Sequence, residues 1–191
     1  MITLLSLIRR LRFGAFAWLA LLAAAVVMPA AATLAQSTPV ASPAAAGAID
    51  LTGLVTSPGP LSVADLQALP AETVKVTYES GGEPEDHTFT GVRLYDALDH
   101  VGFAVDPDAR NPLLSMYLVI SANDGYQVVI SGGEIDPNFG NAPMLLAWEQ
   151  DGAPLAGEDG PLRLVVPGDL RGGRYVHGIV SIDVRSVAAD T

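Results

Sequence analysis

The chain of 191 residues contains no cysteine. That excludes disulfides, thiolate zinc sites, iron–sulfur clusters and haem attached through a CxxCH motif. Positive charge is scarce: ten Lys and Arg stand against 21 Asp and Glu. A surface with that balance repels nucleic acid and anionic lipid, so neither is an expected partner. Several chemical signatures are also missing. There is no G-x-S-x-G elbow, H-E-x-x-H, P-loop or G-x-G-x-x-G. His87, His100 and His177 therefore stand without a nucleophile motif to serve.

The one long apolar run lies at the start. Arg9, Arg10 and Arg12 precede the apolar stretch from Phe13 to Met28, and Thr33-Leu34-Ala35 offers small residues at cleavage spacing. Residues 1–35 thus read as an export signal peptide, removed after Ala35. The pair Arg9-Arg10 leaves both the general and the twin-arginine route open. Cleavage would leave seven of the ten basic residues against all 21 acidic ones, a net charge of about −14. The mature chain is expected in the periplasm or outside the cell, with no membrane contact after cleavage. Residues 36–48, rich in Pro, Ala and Ser, cannot bury a core and read as a flexible linker. One globular domain is expected over 49–187, long enough for a filled core.

Within it, Ile49 to Val55 reads as a strand ended by Ser57-Pro58-Gly59-Pro60. Ser62-Val63-Ala64-Asp65 opens a short helix with capping-box character, with Leu66 and Leu69 inward and Pro70 as its stop. Thr73 to Tyr78 alternates as a strand, and Ser80 to His87 reads as a Gly/acid loop. Phe89-Thr90-Gly91-Val92 leads into a helix over Arg93 to Val101, with Leu94, Ala97, Leu98 and Val101 on one face. After a loop from Asp106 to Pro112, Ser115 to Ser121 and Tyr126 to Ser131 predict a hairpin around Asn123-Asp124-Gly125. Gly132 to Asn141 is irregular with at most a helical turn, and Met144 to Glu149 is a strand turned by Asp151-Gly152. Two further strands, Leu162 to Val166 and Ile179 to Val184, flank a Gly/Arg turn. The order predicts an α+β fold, a mixed sheet curling toward a barrel with short helices.

The Gly/Arg turn carries the clearest chemistry. Gly168, Gly172 and Gly173 are interleaved with Arg171, Arg174 and His177. Glycines let backbone N–H groups face a ligand, and arginines offer a planar fork of donors to an oxyanion. A phosphate or carboxylate would suit the turn; solvated arginines on a plain turn are the alternative. His87, near Glu83, Glu85 and Asp86, lacks a recognised metal-ligand spacing, as do Asp106, Asp108 and Asn111, so no metal site is expected. Tyr126, Phe139, Trp148 and Tyr175 read as core or rim residues.

Five segments occur in a telling order: LTGLV near Leu51, ADLQALP, FTGVRLYDAL from Phe89, SANDGYQVVIS from Ser121, and PLRLVVPGD…RYVHGIVSIDV. Together they resemble the sulfite-oxidase-like molybdopterin-binding domain. The resemblance implies that fold over nearly the whole domain. It implies cofactor-binding roles for Arg171, Gly172, Gly173 and Arg174 at the phosphate of a pterin. His177 stands where relatives often carry a basic residue. It also implies that Ser80, in Tyr78-Glu79-Ser80-Gly81-Gly82, occupies the place of the molybdenum-ligating cysteine. A serine hydroxyl is hard and weakly acidic where a thiolate is soft and readily ionised.

The expected cleft is bordered by Ser80, Asn123, Arg171 and Arg174, with the loop from Asp136 to Asn141 alongside. The leading expectation is a metal-free module, without bound cofactor, that binds a small anion or a pterin-type ligand. The alternatives are an active molybdopterin oxidoreductase performing oxygen-atom transfer with a separate redox partner, and a structural cell-surface domain.

Overall fold

The computed structural model describes residues 47–106 and 108–187. The signal reading of 1–35 and most of the 36–48 linker lie outside the described residues. Among the described residues no helix is long and apolar enough to cross a membrane.

Among the described residues ten strands form two five-stranded sheets. The first contains β1 (Ala48–Gly53), β2 (Gly59–Ser62), β5 (Met116–Ala122), β6 (Gln127–Ser131) and β10 (Ile179–Ser186), in the order β2-β1-β10-β5-β6. The second contains β3 (Glu72–Ser80), β4 (Glu83–Arg93), β7 (Leu145–Gln150), β8 (Ala153–Pro154) and β9 (Arg163–Val165). There β3 pairs with β4 and β4 with β7, whose strand also carries β8 and β9. Neither sheet closes on itself. The pairings between these strands are antiparallel except β1 with β10, where Asp50 faces Ser181 in parallel register.

Strand β5 alternates buried and half-buried positions, and β10 does so from Ile182 to Val184, as strands with one better-covered face must. Their inward residues Leu118, Ile120, Ile182 and Val184 join Phe89 of β4, Leu145 and Leu146 of β7 and Leu164 of β9 in one buried apolar cluster. Two helices follow their sequence signals. α1 (Val63–Gln67) begins at a capping box: Ser62 Oγ accepts from Asp65 N at 3.1 Å while Asp65 Oδ2 accepts from Ser62 N at 3.0 Å. α2 (Leu94–Val101) buries Leu94, Ala97 and Leu98 on its apolar stripe. The short α3 (Gly132–Ile135) supplies the one helical turn expected after β6.

Two local expectations are corrected. Ser80 to His87 is not a loop. Ser80 pairs with Glu83 across Gly81-Gly82, and β4 runs on from there through Phe89 to Arg93. Gly81 and Gly82 hold φ of 60° and 91°, so two glycines make a tight hairpin turn that other residues would strain. The charged residues that follow hid the strand, because it has little apolar alternation to display. The second correction concerns the C-terminal pair. β9 and β10 lie in different sheets, so the Gly/Arg segment is a crossover between sheets rather than a plain turn.

Candidate functional site

The crossover from β9 to β10 is pinned against the end of β3. Glu79 N donates to Leu170 O at 2.9 Å, and Arg171 forms an isolated parallel bridge with Glu79. A 3₁₀ turn over Gly172–Arg174 follows. Gly172 packs tightly there: a Cβ at this position would stand 3.1 Å from the Tyr78 ring, which would have to give way by a few tenths of an ångström. Tyr78 in turn stacks on Tyr175, with centroids 4.2 Å apart. The β5–β6 hairpin closes the other side. Tyr126 OH donates to Gly173 O at 2.8 Å, and Asn123 N donates to Gly178 O at 2.9 Å.

A pocket of about 170 Å³ remains between these elements, lined among others by Asp124, Tyr126, Gly172, Gly173, Tyr175 and His177. The space around Gly173 is open. His177 Nδ1 is buried and makes no hydrogen bond, lying 3.5 Å from Asp159 Oδ1. The Tyr175 hydroxyl is likewise buried and unpartnered. Burial, aided by the negative charge of Asp169, pushes its pKa up to about 12. Asp124 is committed to its own turn, accepting from Tyr126 N at 2.8 Å.

Of the seven residues named from the sequence, the pocket brings together Gly172, Gly173 and His177. Asn123 stands beside it, its side-chain amide donating to Glu158 O at 3.0 Å. Arg174 does not line it. Its Nε and Nη2 fork onto Asp169 at 2.8 and 2.6 Å, and Nη1 reaches Glu134 at 3.0 Å. Hydrogen bonding to Asp169 outweighs partial burial and raises the already high Arg174 pKa further. The same Glu134 caps α3 by accepting from Ser131 N. Arg171 lies outward, its side chain 81% exposed and 3.5 Å from Glu79. Ser80 sits half-buried at the hairpin end beside Glu85. Partial desolvation pushes the Glu85 carboxyl up, but the hydroxyls of Ser80 and Tyr78 and the His87 ring outweigh it and hold it below its ordinary value.

Sequence reasoning missed Asp169 and Glu134 as the partners of Arg174. The S-x-x-E pattern at Ser131 to Glu134 signals the α3 cap but not the arginine. Tyr126 and Phe139, read as core or rim, are rim residues, half exposed; Trp148 and Tyr175 are buried.

His87 has another setting. Its Nδ1 lies 2.7 Å from Asp151 Oδ2 and its Nε2 3.4 Å from Glu85 Oε2. This arrangement ties the β3–β4 hairpin to the β7–β8 turn. Arg163 spans the same face, with Nη1 donating to Gln150 Oε1 at 3.0 Å and its guanidinium 5.4 Å over the Phe89 ring. Among the described residues no group of three or more His, Asp or Glu is placed to hold a metal ion.

Comparison with known proteins bears on the whole domain. The family described as oxidoreductase molybdopterin binding domain matches residues 36–191. No curated protein matches the chain. Among solved structures, the fold is similar to that of the sulfane dehydrogenase SoxCD from Paracoccus pantotrophus, with a TM-score of 0.58 at 20% identity. That likeness covers 74% of this chain and 39% of the SoxCD chain, so the protein spans well under half the length of its structural neighbour. The ordered sequence segments, the two-sheet α+β fold and the match over 36–191 agree: the chain belongs to the oxidoreductase molybdopterin-binding domain family.

Proposed function

We propose that this protein is an exported, metal-free member of its family that binds a small anion in the pocket between the Gly172–Gly173 turn, Tyr126 and His177. One observation carries the reading: the arginine expected to hold a cofactor phosphate, Arg174, spends its fork on Asp169 and Glu134. The molybdenum-pterin group fits the residues poorly on two further counts. The soft thiolate is absent, and a hard, weakly acidic hydroxyl such as that of Ser80 is a poor substitute for it. The pocket of about 170 Å³ is below the roughly 300–1,000 Å³ of sites that enclose drug-sized ligands. A small oxyanion needs less room. Gly173 leaves its backbone open, and the His177 ring lines the pocket.

Family membership favours a second reading, an oxidoreductase carrying molybdopterin with a separate redox partner. Metal and pterin analysis of protein purified from its native host separates the two. The metal-free reading expects far less than one molybdenum per chain; near-stoichiometric metal with pterin overturns it. Calorimetric titration with inorganic phosphate then tests the pocket. His177→Ala is expected to weaken binding about tenfold, the loss of one charge-assisted contact. No binding in either protein would leave a structural cell-surface domain. Export is tested by N-terminal sequencing of secreted protein, which should begin at Gln36; a full-length chain in the membrane fraction would contradict it.

A further inference from the structure

A second and larger cavity lies away from the Gly/Arg turn. It is a groove of about 730 Å³ where the start of β5 and the end of β10 meet the segment that follows α2. Leu54, Val105, Leu114, Met116 and Val187 make its apolar lining. Leu114 is 48% and Val187 76% exposed, so apolar surface is left facing the groove and solvent. Two hydroxyls on its lining are engaged within the protein: Ser115 Oγ donates to Pro112 O at 2.9 Å and Ser186 Oγ to Ser115 O at 3.2 Å.

One charge on the lining is uncommitted. Among the described residues Arg110 is the one arginine whose side chain makes no hydrogen bond, ion pair or ring contact; the others are held by Asn141, Gln150, Glu79, Asp169 or Asp183. Asp106, also on the lining, does not pair with it but accepts from Asp108 N at 2.9 Å. On a chain with 21 acidic residues and ten basic ones, an arginine left with no side-chain partner of any kind is out of pattern.

We propose that this groove binds a single-chain alkyl carboxylate, its tail on Leu54, Val105, Leu114, Met116 and Val187 and its head on Arg110. The guanidinium fork matches a carboxylate, and the volume falls within the range of about 300–1,000 Å³ typical of small-molecule sites. The ligand comes free from solution rather than from a bilayer, because the strongly negative chain is repelled by anionic membrane surfaces.

The test is calorimetric titration of the full chain with dodecanoate below its micelle concentration, with acetate and dodecyltrimethylammonium as comparators. Dodecanoate is expected to saturate the groove, while acetate, lacking the tail, and the alkyl cation, bearing the wrong charge, bind at least about tenfold more weakly. Arg110→Ala is expected to weaken dodecanoate about tenfold, and Leu114→Ser to weaken it as well. Alkyl chains adsorbed on the apolar N-terminal run would be insensitive to both substitutions. Equal affinity for the carboxylate and the cation, or unchanged affinity in Arg110→Ala, overturns the proposal. A loss seen only in His177→Ala would move the carboxylate to the Gly/Arg pocket and also overturn it. Failure here leaves phosphate binding at His177 untouched, since the two pockets share no residue.

Discussion

Replacing Arg174 by alanine separates a structural clamp from a free anion-binding fork. Three charge-assisted hydrogen bonds would be lost, two to Asp169 and one to Glu134. A hydrogen bond to a charged group contributes about 1.5–3 kcal/mol when well shielded. The side chains here are 35%, 23% and 41% exposed for Arg174, Asp169 and Glu134, so solvent screens the set. After that discount the whole arrangement is expected to contribute about 2 kcal/mol. For a domain of this size that corresponds to a fall in Tm of roughly 6–8 °C, read by circular dichroism or calorimetry. Arg174→Lys keeps the charge but not the fork, and should recover less than half of the loss. The difference between wild type and Arg174→Ala should shrink in 1 M salt, where the Debye length is about 3 Å. An unchanged Tm together with abolished phosphate binding would refute the reasoning. Arg174 would then be a ligand-binding arginine whose acidic neighbours do not hold it.

Three other outcomes are expected. Tyr175→Phe should leave stability unchanged or raised, since the buried hydroxyl has no partner, and should remove the tyrosine that titrates near pH 12 in ultraviolet absorbance. Because the folded chain holds that proton more tightly than the unfolded one, the contribution is full below the ordinary tyrosine value and is lost as pH rises toward 12; the wild type should lose stability relative to Tyr175→Phe in that window. Asp65→Ala should destabilise α1, and Ser62→Ala should cost about 1 kcal/mol in denaturant titrations. Hydrogen bonds from Ser62 hold the Asp65 carboxyl below its ordinary value, so the Asp65 contribution is full above that value and should vanish as pH falls through the lowered one. Phe89→Ala, at a fully buried position under Arg163, should destabilise by about 3–5 kcal/mol, with the denaturation midpoint as the readout.

Much of the fold is legible in the sequence because its causes are local. The Ser62–Asp65 cap, the Leu94-Ala97-Leu98 stripe and the hairpin around Asn123-Asp124-Gly125 each depend on residues within a few positions of one another. The glycines of the 172–173 turn and the order of the family-like segments are likewise written in the chain. Tertiary structure decided the rest. Nothing in the spacing of Leu162 to Val184 tells that β9 joins β7 while β10 lies between β1 and β5, because each apolar strand would satisfy either sheet. The partners of Arg174 were equally hidden. Glu134 is 40 residues away in the chain, and only the packing of α3 near the crossover brings its carboxylate to 3.0 Å. The sequence by itself determined the helix cap, the apolar helix stripe, the β5–β6 hairpin and the family; folding decided which charges cancel one another, because an arginine pairs with the carboxylate nearest in space.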